Sequence, residues 1–536
     1  MHTKSINAFP PELLSLIFKE VHLSQLEDLD TNVRGHSVDQ NLTDEDESPT
    51  VDDRLDVSAM LKVVQSPTFF PYSIAAVCNY WEEVLSSTPS FWNVVVIFLD
   101  LQGPNGTDSD TARKYLNRSN GLPIDVFITR NEQDKEDNFP LAITSILESK
   151  VAAAFFQVLM PHFEHCRTLH VDLRLSDSLP VLPKFLPSAA PNLRHLSLVS
   201  SMEMNMWDNE NSRHYFFDEP LVFNDIPQDA HVFEFRPSLT TLVIDGRNVQ
   251  HAFANGYTWL SDLPHLKVLK ITDYSPMTVS KARISEGELV PHTCTECRLP
   301  LYDLLRAIQT CDELEELTLE SLSLYVETSE DALLPQEYFS FASLEHITMN
   351  DIEPDIVHEM LRVTEQTVGS LTFIQCPRLG DAALPYLMHQ VIRLVYLDEN
   401  VDLKPFLKGC ETDTLVVIDS PCFSDDVLEV LSIQEGKLLN GRANFPYCSD
   451  LSNLHLHFTD PGPSYTVAAV KRMVEARGRE VDYSQAGWPE SFAGMPLKRV
   501  LATGQVPELQ PEYDEWFRSR LLMFQWGGLR VDPPSS

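Results

Sequence analysis

The chain has 536 residues, 43% of them apolar, with a formal charge of −39 from 40 basic and 79 acidic residues. This is long enough for two or more structural units and apolar enough for a large core. The acidic balance argues against nucleic acid or an anionic membrane as partner, because both select concentrated Lys and Arg.

The first predicted element is Phe9 to Val21. Pro10 and Pro11 preset φ for a first helical turn and lack N–H groups that such a turn leaves unpaired. Leu13, Leu14, Ile17, Phe18 and Val21 then recur at helical spacing as one apolar stripe. From about Ser24 to Gln65 the chain is poor in apolar residues and carries Asp44-Glu45-Asp46-Glu47 and Asp52-Asp53. Such a segment cannot bury enough surface to offset its ordering entropy, so a disordered insertion is expected. Its length adds little closure entropy, so the flanking helices can still meet. Ser73 to Leu85 reads as a second amphipathic helix, followed by Thr88-Pro89-Ser90-Phe91-Trp92.

Taken together, Pro-x-Glu-Leu-Leu-x-x-Ile-Phe, then Val-Cys-x-x-Trp, then Thr-Pro-x-Phe-Trp resemble the F-box family, in particular the F-box-like proteins common in fungi. The resemblance covers about the first hundred residues and departs from the family in its long insertion. It implies a helical domain over residues 1–98 that docks on a Skp-type adaptor and, through it, a cullin. The matching positions are Pro10, Leu13, Leu14, Ile17, Val77 and Trp81, as adaptor contacts or as core of the helical domain.

Val94 to Leu99 reads as a buried strand, Tyr115 and Leu116 lie in a short helical stretch, and Ile124 to Ile128 alternates like a strand. Residues 99–140 are thus connecting strands and loops. Ile143 to Met160 is helical in pattern and stops at Pro161. From there a unit of the form Leu-x-x-Leu-x-Leu recurs, beginning at Leu193, Leu239, Leu266, Leu314, Leu344, Val368 and Leu451, with a weaker forerunner at Leu169-x-Val171-x-Leu173. The best starts are about 24–30 residues apart, which is the strand signature of leucine-rich repeats. Helical patterns fall between them, as at Leu301, Leu304, Leu305 and Ile308 and at Val357, Met360 and Leu361. Cys376 to Leu384 resembles the cysteine-containing class of these repeats, which makes Cys376 an interior residue.

The expected fold is therefore α/β: an F-box-like helical bundle, then an irregular leucine-rich-repeat solenoid over residues 141–480, parallel strands inside and helices outside. Tyr465 to Arg477 is the last outer helix, and residues 481–536 form a cap or tail in which Tyr513 to Phe524 is helical. In this register the outward strand positions include Lys270, Glu316, Glu320, His346 and Asn350, a continuous surface for a target protein of unknown identity.

No phosphate-binding glycine loop and no nucleophile elbow occur, and His358-Glu359 lacks its second His because Arg362 takes that position. His292-x-Cys294-x-x-Cys297 is half of a zinc site, and structural zinc needs four ligands, so neither metal nor cofactor is expected. The nine cysteines, odd in number and without framework spacing, predict reduced thiols and a cytoplasmic or nuclear protein. No apolar signal core opens the chain, and no uncharged apolar run reaches bilayer-spanning length. The combined expectation is a non-enzymatic substrate-recognition subunit of a Skp–cullin–F-box ubiquitin ligase. The alternative is a repeat scaffold whose first helices only cap the solenoid.

Overall fold

The computed structural model describes residues 9–35, 69–99, 106–130, 141–180, 182, 190–202, 207–208, 238–254, 256, 258–274, 277–279, 291–293, 298–326, 338–364, 368–380, 387–408, 410–433, 447–448, 450–459, 462–478 and 497–527. The chain divides into two compact units, residues 1–204 with 210–248, and residues 205–209 with 249–536.

The first unit opens with α1 (Pro11–Gly35). The Leu13 and Leu14 N–H groups donate to the Pro10 carbonyl at 3.1 and 3.2 Å, so the proline pair starts the helix as expected. The apolar stripe, however, splits in two. Leu14 and Phe18, one turn apart, are buried and join Phe70, Val84, Leu85, Phe91 and Trp92 in one core, with Val21 packed against it. Leu13 and Ile17 face the other way and are 47% and 46% exposed.

The expected second helix is broken. It consists of α2 (Tyr72–Ala75) and α3 (Asn79–Ser86), separated by Cys78 in extended conformation at φ −167° and ψ 161°. The break leaves Val77 in the connection, 56% exposed. The helices nevertheless meet across the intervening stretch. Trp81 sets its ring edge-on to Phe18 at 5.3 Å, and Phe91 does the same to Phe70 at 5.1 Å. Helix α1 also runs on to Gly35, past the expected start of the insertion near Ser24. The acidic run at residues 44–53 lies outside the described residues.

A 3-10 turn, Pro89–Trp92, leads into the sheet, and the Trp92 indole N–H donates to the Leu85 carbonyl at 3.0 Å. Strands β1 (Val94–Leu99), β2 (Ile124–Arg130), β3 (Cys166–Leu175), β4 (His195–Met202) and β5 (Thr241–Asp245) pair in that order, all parallel. Helices α4 (Ser109–Arg118) and α5 (Leu141–Leu159) form the crossovers. Strands β1 and β2 are therefore part of the strand ladder rather than a connection to it. The expected alternation in β2 is also absent: every residue from Ile124 to Thr129 is buried. Asp125 survives there because the Arg167 guanidinium binds it, one of the two contacts being Nε to Oδ1 at 3.0 Å.

The second unit carries β6 (Val268–Tyr274), β7 (Glu316–Leu322), β8 (His346–Asn350), β9 (Ser370–Ile374), β10 (Leu387–Val395), β11 (Cys410–Ile418), β12 (Asn453–Phe458), β13 (Arg499–Gly504) and β14 (Met523–Trp526). They pair in chain order and all in parallel. Between strands come α6 (Leu301–Ile308), α7 (Pro354–Val363), α8 (Leu403–Leu407), α9 (Asp425–Leu431), α10 (Val467–Arg477) and α11 (Pro511–Arg518). Each helix turns its apolar face inward: Leu301, Leu304, Leu305 and Ile308 on α6 are all buried, as are Val467, Val470 and Val474 on α10. This is the strand-and-helix repeat expected of an α/β solenoid, in which each unit buries its apolar face only against its neighbours.

One column fixes the repeat. Asp273, Ser321, Asp351, Gln375, Tyr396 and Asp419, each at the exit of successive strands from β6 to β11, have φ between 42° and 52°. That left-handed conformation turns the chain off the sheet while keeping the ladder: Asp351, Gln375, Tyr396 and Asp419 each donate an N–H to the next strand's carbonyl at 2.9–3.0 Å. Aspartate tolerates the left-handed region better than most residues. On β13 the same place is Gly504 at φ +74°, where an added Cβ would lie 2.1 Å from the Phe458 carbonyl oxygen. Behind the turn at Gln375, Cys376 is buried, with its thiol donating to the Met349 carbonyl at 3.3 Å, the interior role its position suggested.

The C-terminal segment differs from expectation. Among its described residues the helix is Pro511–Arg518, with strand β13 before it and β14 after it, so the repeat runs on past residue 480. No described helix is long and apolar enough to cross a membrane.

Candidate functional site

Two surfaces collect the residues singled out in the sequence. The first is the outer side of the N-terminal helices. Leu13, Leu16 and Ile17 fall within two turns of α1 and are 47%, 60% and 46% exposed, with Phe9 at 44% just before the helix, Leu23 at 40% farther along it and Val77 at 56% in the α2–α3 connection. Pro10 is exposed as well. Leu14 belongs to the core, so its role is to hold the helix rather than to meet a partner. Trp81 is half-buried, its ring in an edge-on contact with Phe18. A residue 60% exposed on a helix that has an adequate buried stripe elsewhere contributes little to folding, and clustered exposure of this kind marks interaction surfaces. Underneath, Tyr72 anchors the helices to the sheet: its hydroxyl accepts from the Val96 N–H at 2.9 Å and donates to the Val94 carbonyl at 3.1 Å. Burial pushes that phenol far above its ordinary value, so it stays protonated and keeps donating.

The second surface is the strand face of β6–β8, whose register places the sequence positions side by side. Glu316 pairs with Val268 and His346, Thr318 with Lys270 and Thr348, and Glu320 with Thr272 and Asn350. The face is thus continuous, but it is not an acidic patch. Lys270 Nζ lies 2.5 Å from Glu320 Oε2, and the Asn350 amide donates to Glu320 Oε1 at 2.9 Å. Glu320 is therefore a bridge across three strands, its charge matched by Lys270. Thr272, an outward position by register, is buried. His346 stands at the entry edge, Nε2 3.8 Å from Glu345 Oε2, both groups exposed. Beside Glu320, the Asp273 carboxyl is raised above its usual range, by burial first and by the Glu320 charge second.

Four charged or titratable side chains on the same face went unread in the sequence: Arg393 on β10, His455 and His457 on β12, and Arg499 on β13. They continue the columns of Glu316, Thr318 and Glu320 through the ladder. Arg393 donates to the Ser370 hydroxyl at 2.5 Å, and His457 Nδ1 lies 2.8 Å from Thr503 Oγ1. The periodic signal was present but disguised. His389-x-x-Ile392-x-Leu394 and Thr412-x-x-Leu415-x-Val417 keep the repeat with a polar residue in the leading position. Both are buried, and each satisfies a polar atom locally: His389 Nδ1 donates to the Val368 carbonyl at 2.8 Å, and the Thr412 hydroxyl lies 3.0 Å from the Thr414 carbonyl.

No constellation for catalysis or metal binding accompanies either surface among the described residues. Cys294 and Cys297 lie outside them, and no group of three or more His, Cys, Asp or Glu within them could hold a metal ion. The described cysteines are free thiols. Burial, the largest cause, raises Cys311 and Cys376 to about 11, so both stay protonated and inert at neutral pH. Glu359, in the position that first suggested a zinc-protease helix, is instead salt-bridged to Arg362 at 2.6 Å. No protein-family model matches this chain, and no curated protein is detectably similar to it.

Proposed function

We propose that the protein is a substrate-recognition subunit of a Skp–cullin–F-box-type ubiquitin ligase, in which the N-terminal helices dock an adaptor and the strand face of the repeats holds a target. The observation that carries the first half is the exposed apolar group Leu13, Leu16, Ile17 and Val77 on helices already packed through a separate core. The second half rests on the side-by-side columns of polar positions on β6–β8, a rigid sheet of the sort on which repeat proteins present binding surfaces. Such a subunit carries out no chemistry. It raises the effective concentration of a target lysine near a ubiquitin-charged enzyme.

The test is capture of a purified Skp-type adaptor by the full chain. Leu13→Asp with Ile17→Asp should abolish capture without altering the circular dichroism spectrum, because both side chains are exposed. Leu122→Asp, exposed elsewhere in the same unit, should leave capture intact. A wild-type chain that fails to capture the adaptor overturns the reading. One observation favours the rival, a scaffold whose helices cap the sheet: Tyr72 bonds directly to the first strand, β1, as a cap would.

A further inference from the structure

We infer that Cys410 and Cys448 are a redox modification site: a dithiol that closes to a reversible disulfide and clamps neighbouring repeats of the second unit. The inference goes beyond both binding surfaces proposed above and depends on neither.

The two cysteines are 38 positions apart in the sequence and meet at the end of one short helix. The last carbonyls of a helix have no partner within it. At the end of α8 the cysteines take up two of these. The Cys410 thiol donates to the Phe406 carbonyl at 3.0 Å, and the Cys448 N–H donates to the Leu407 carbonyl at 3.2 Å. Both residues are buried, at 2% and 0% exposure, and their thiols join in a hydrogen bond with each other. That contact first, and burial second, hold the Cys410 thiol well above its ordinary value.

Cys448 is fixed from its other side as well. Its backbone is left-handed at φ 46°, an uncommon conformation for a residue with a Cβ. The buried Arg477 guanidinium of α10 donates to the Cys448 carbonyl at 2.9 Å, to Tyr447 at 2.7 Å and to Leu431, at the end of α9, at 2.9 Å. One joint therefore ties together α8, the start of β11, the end of α9, the approach to β12, and α10.

Two thiols held in contact react with each other at an effective concentration far above that of a thiol in solution. The oxidant is a small-molecule disulfide such as oxidised glutathione. The thiolate of one cysteine attacks it, forms a mixed disulfide and expels one glutathione. The second cysteine then attacks the protein sulfur of that mixed disulfide, forms the Cys410–Cys448 bond and expels the other glutathione. The protein pair loses two electrons and two protons, and the oxidant gains them as two thiols. Burial sets the rate of this exchange, because enclosed thiols react only when their repeat opens. Closure restrains the unfolded chain across the 38-residue span and so makes further opening rarer.

The test refolds the full chain from urea in a buffer of reduced and oxidised glutathione, so that every thiol is accessible before the repeats close. Remaining thiols are then blocked, and the peptides are mapped without reduction. Most of the folded chain should carry a Cys410–Cys448 link, while Cys311 and Cys376 are recovered as blocked thiols. Hydrogen exchange at the α9 and β12 amides of the linked chain should be slower than in the reduced chain by about a hundredfold. In Cys410→Ser, exchange at these amides should not respond to the glutathione ratio. Three results overturn the inference: no Cys410–Cys448 link in folded wild type at any glutathione ratio, pairing of either cysteine chiefly with another partner, or a linked chain whose α9 and β12 amides exchange as fast as before.

Discussion

His170 should make the first unit acid-sensitive, and substituting it should remove that sensitivity. It sits on β3, 2% exposed, with its ring centroid 6.1 Å from that of Phe127 on the neighbouring strand. Neither ring nitrogen has a hydrogen-bond partner among the described residues. Burial alone lowers its pKa from 6.5 to about 4. Above pH 6.5 the ring is neutral in both folded and unfolded chains, and it costs the fold nothing through protonation. As pH falls from 6.5 towards 4, the unfolded chain takes up a proton that the folded chain refuses, so stability declines. Below 4 both states are protonated and the loss levels off. At roughly 1.4 kcal/mol per pH unit, the full loss is about 3 kcal/mol, and about 2 kcal/mol has gone by pH 5. His170→Leu removes the titrating group while roughly keeping its volume. Hydrogen exchange at the β3 amides reads the opening free energy of this part of the sheet. The opening free energy of the variant relative to wild type should rise by about 2 kcal/mol between pH 7.5 and pH 5. Other histidines contribute equally to both proteins and cancel in this difference. A difference that does not change with pH would refute the reasoning.

The remaining predictions concern how the two surfaces are held. Leu14→Ala should cost about 2–5 kcal/mol of stability by urea denaturation, because the side chain is 1% exposed, whereas Leu16→Ala should stay within about 0.5 kcal/mol. Tyr72→Phe strips the Val96 N–H of its acceptor and should cost about 1–3 kcal/mol, read as a lower thermal midpoint. Gly504→Ala should lower the midpoint more than an alanine at an ordinary strand exit, since its Cβ would lie 2.1 Å from the Phe458 carbonyl oxygen in a left-handed conformation. Glu320→Gln should change stability by less than about 1 kcal/mol, because its ion pair with Lys270 is partly exposed.

Much of this architecture was legible in the sequence because a solenoid repeats its instructions. Each Leu-x-x-Leu-x-Leu begins two residues before its strand, as Leu314 does for β7, and the outward register of β6, β7 and β8 followed from the period alone. The strands that escaped are those in which the inward positions hold something other than leucine. At β13 they are Val500 and Ala502, and at β14 Phe524 and Trp526, all buried. At β1 the leading position is Trp92, whose indole donates to Leu85, so the residue that ends the helical segment also begins the repeat. Periodicity reports that a position is buried but not what buries it. That is also why the α1 stripe misled: five apolar residues at helical spacing look like one face, and only the packing of Phe70, Phe91 and Trp92 selects Leu14 and Phe18 from among them.

The same reasoning bears on how the two surfaces differ. On α1 the apolar residues left over after the core is satisfied are the signal, and binding there rests on burying exposed hydrocarbon, which is largely insensitive to salt. On the strand face of β6–β8 the signal is the register that sets polar side chains side by side, with Glu320 balanced by Lys270 and Asn350. On the proposed reading, association there engages charged and polar groups and weakens with ionic strength. If both surfaces are engaged as proposed, one partner can be held steadily while the other exchanges. Raising salt should release the proposed target from the sheet at concentrations that leave the proposed adaptor on α1 in place.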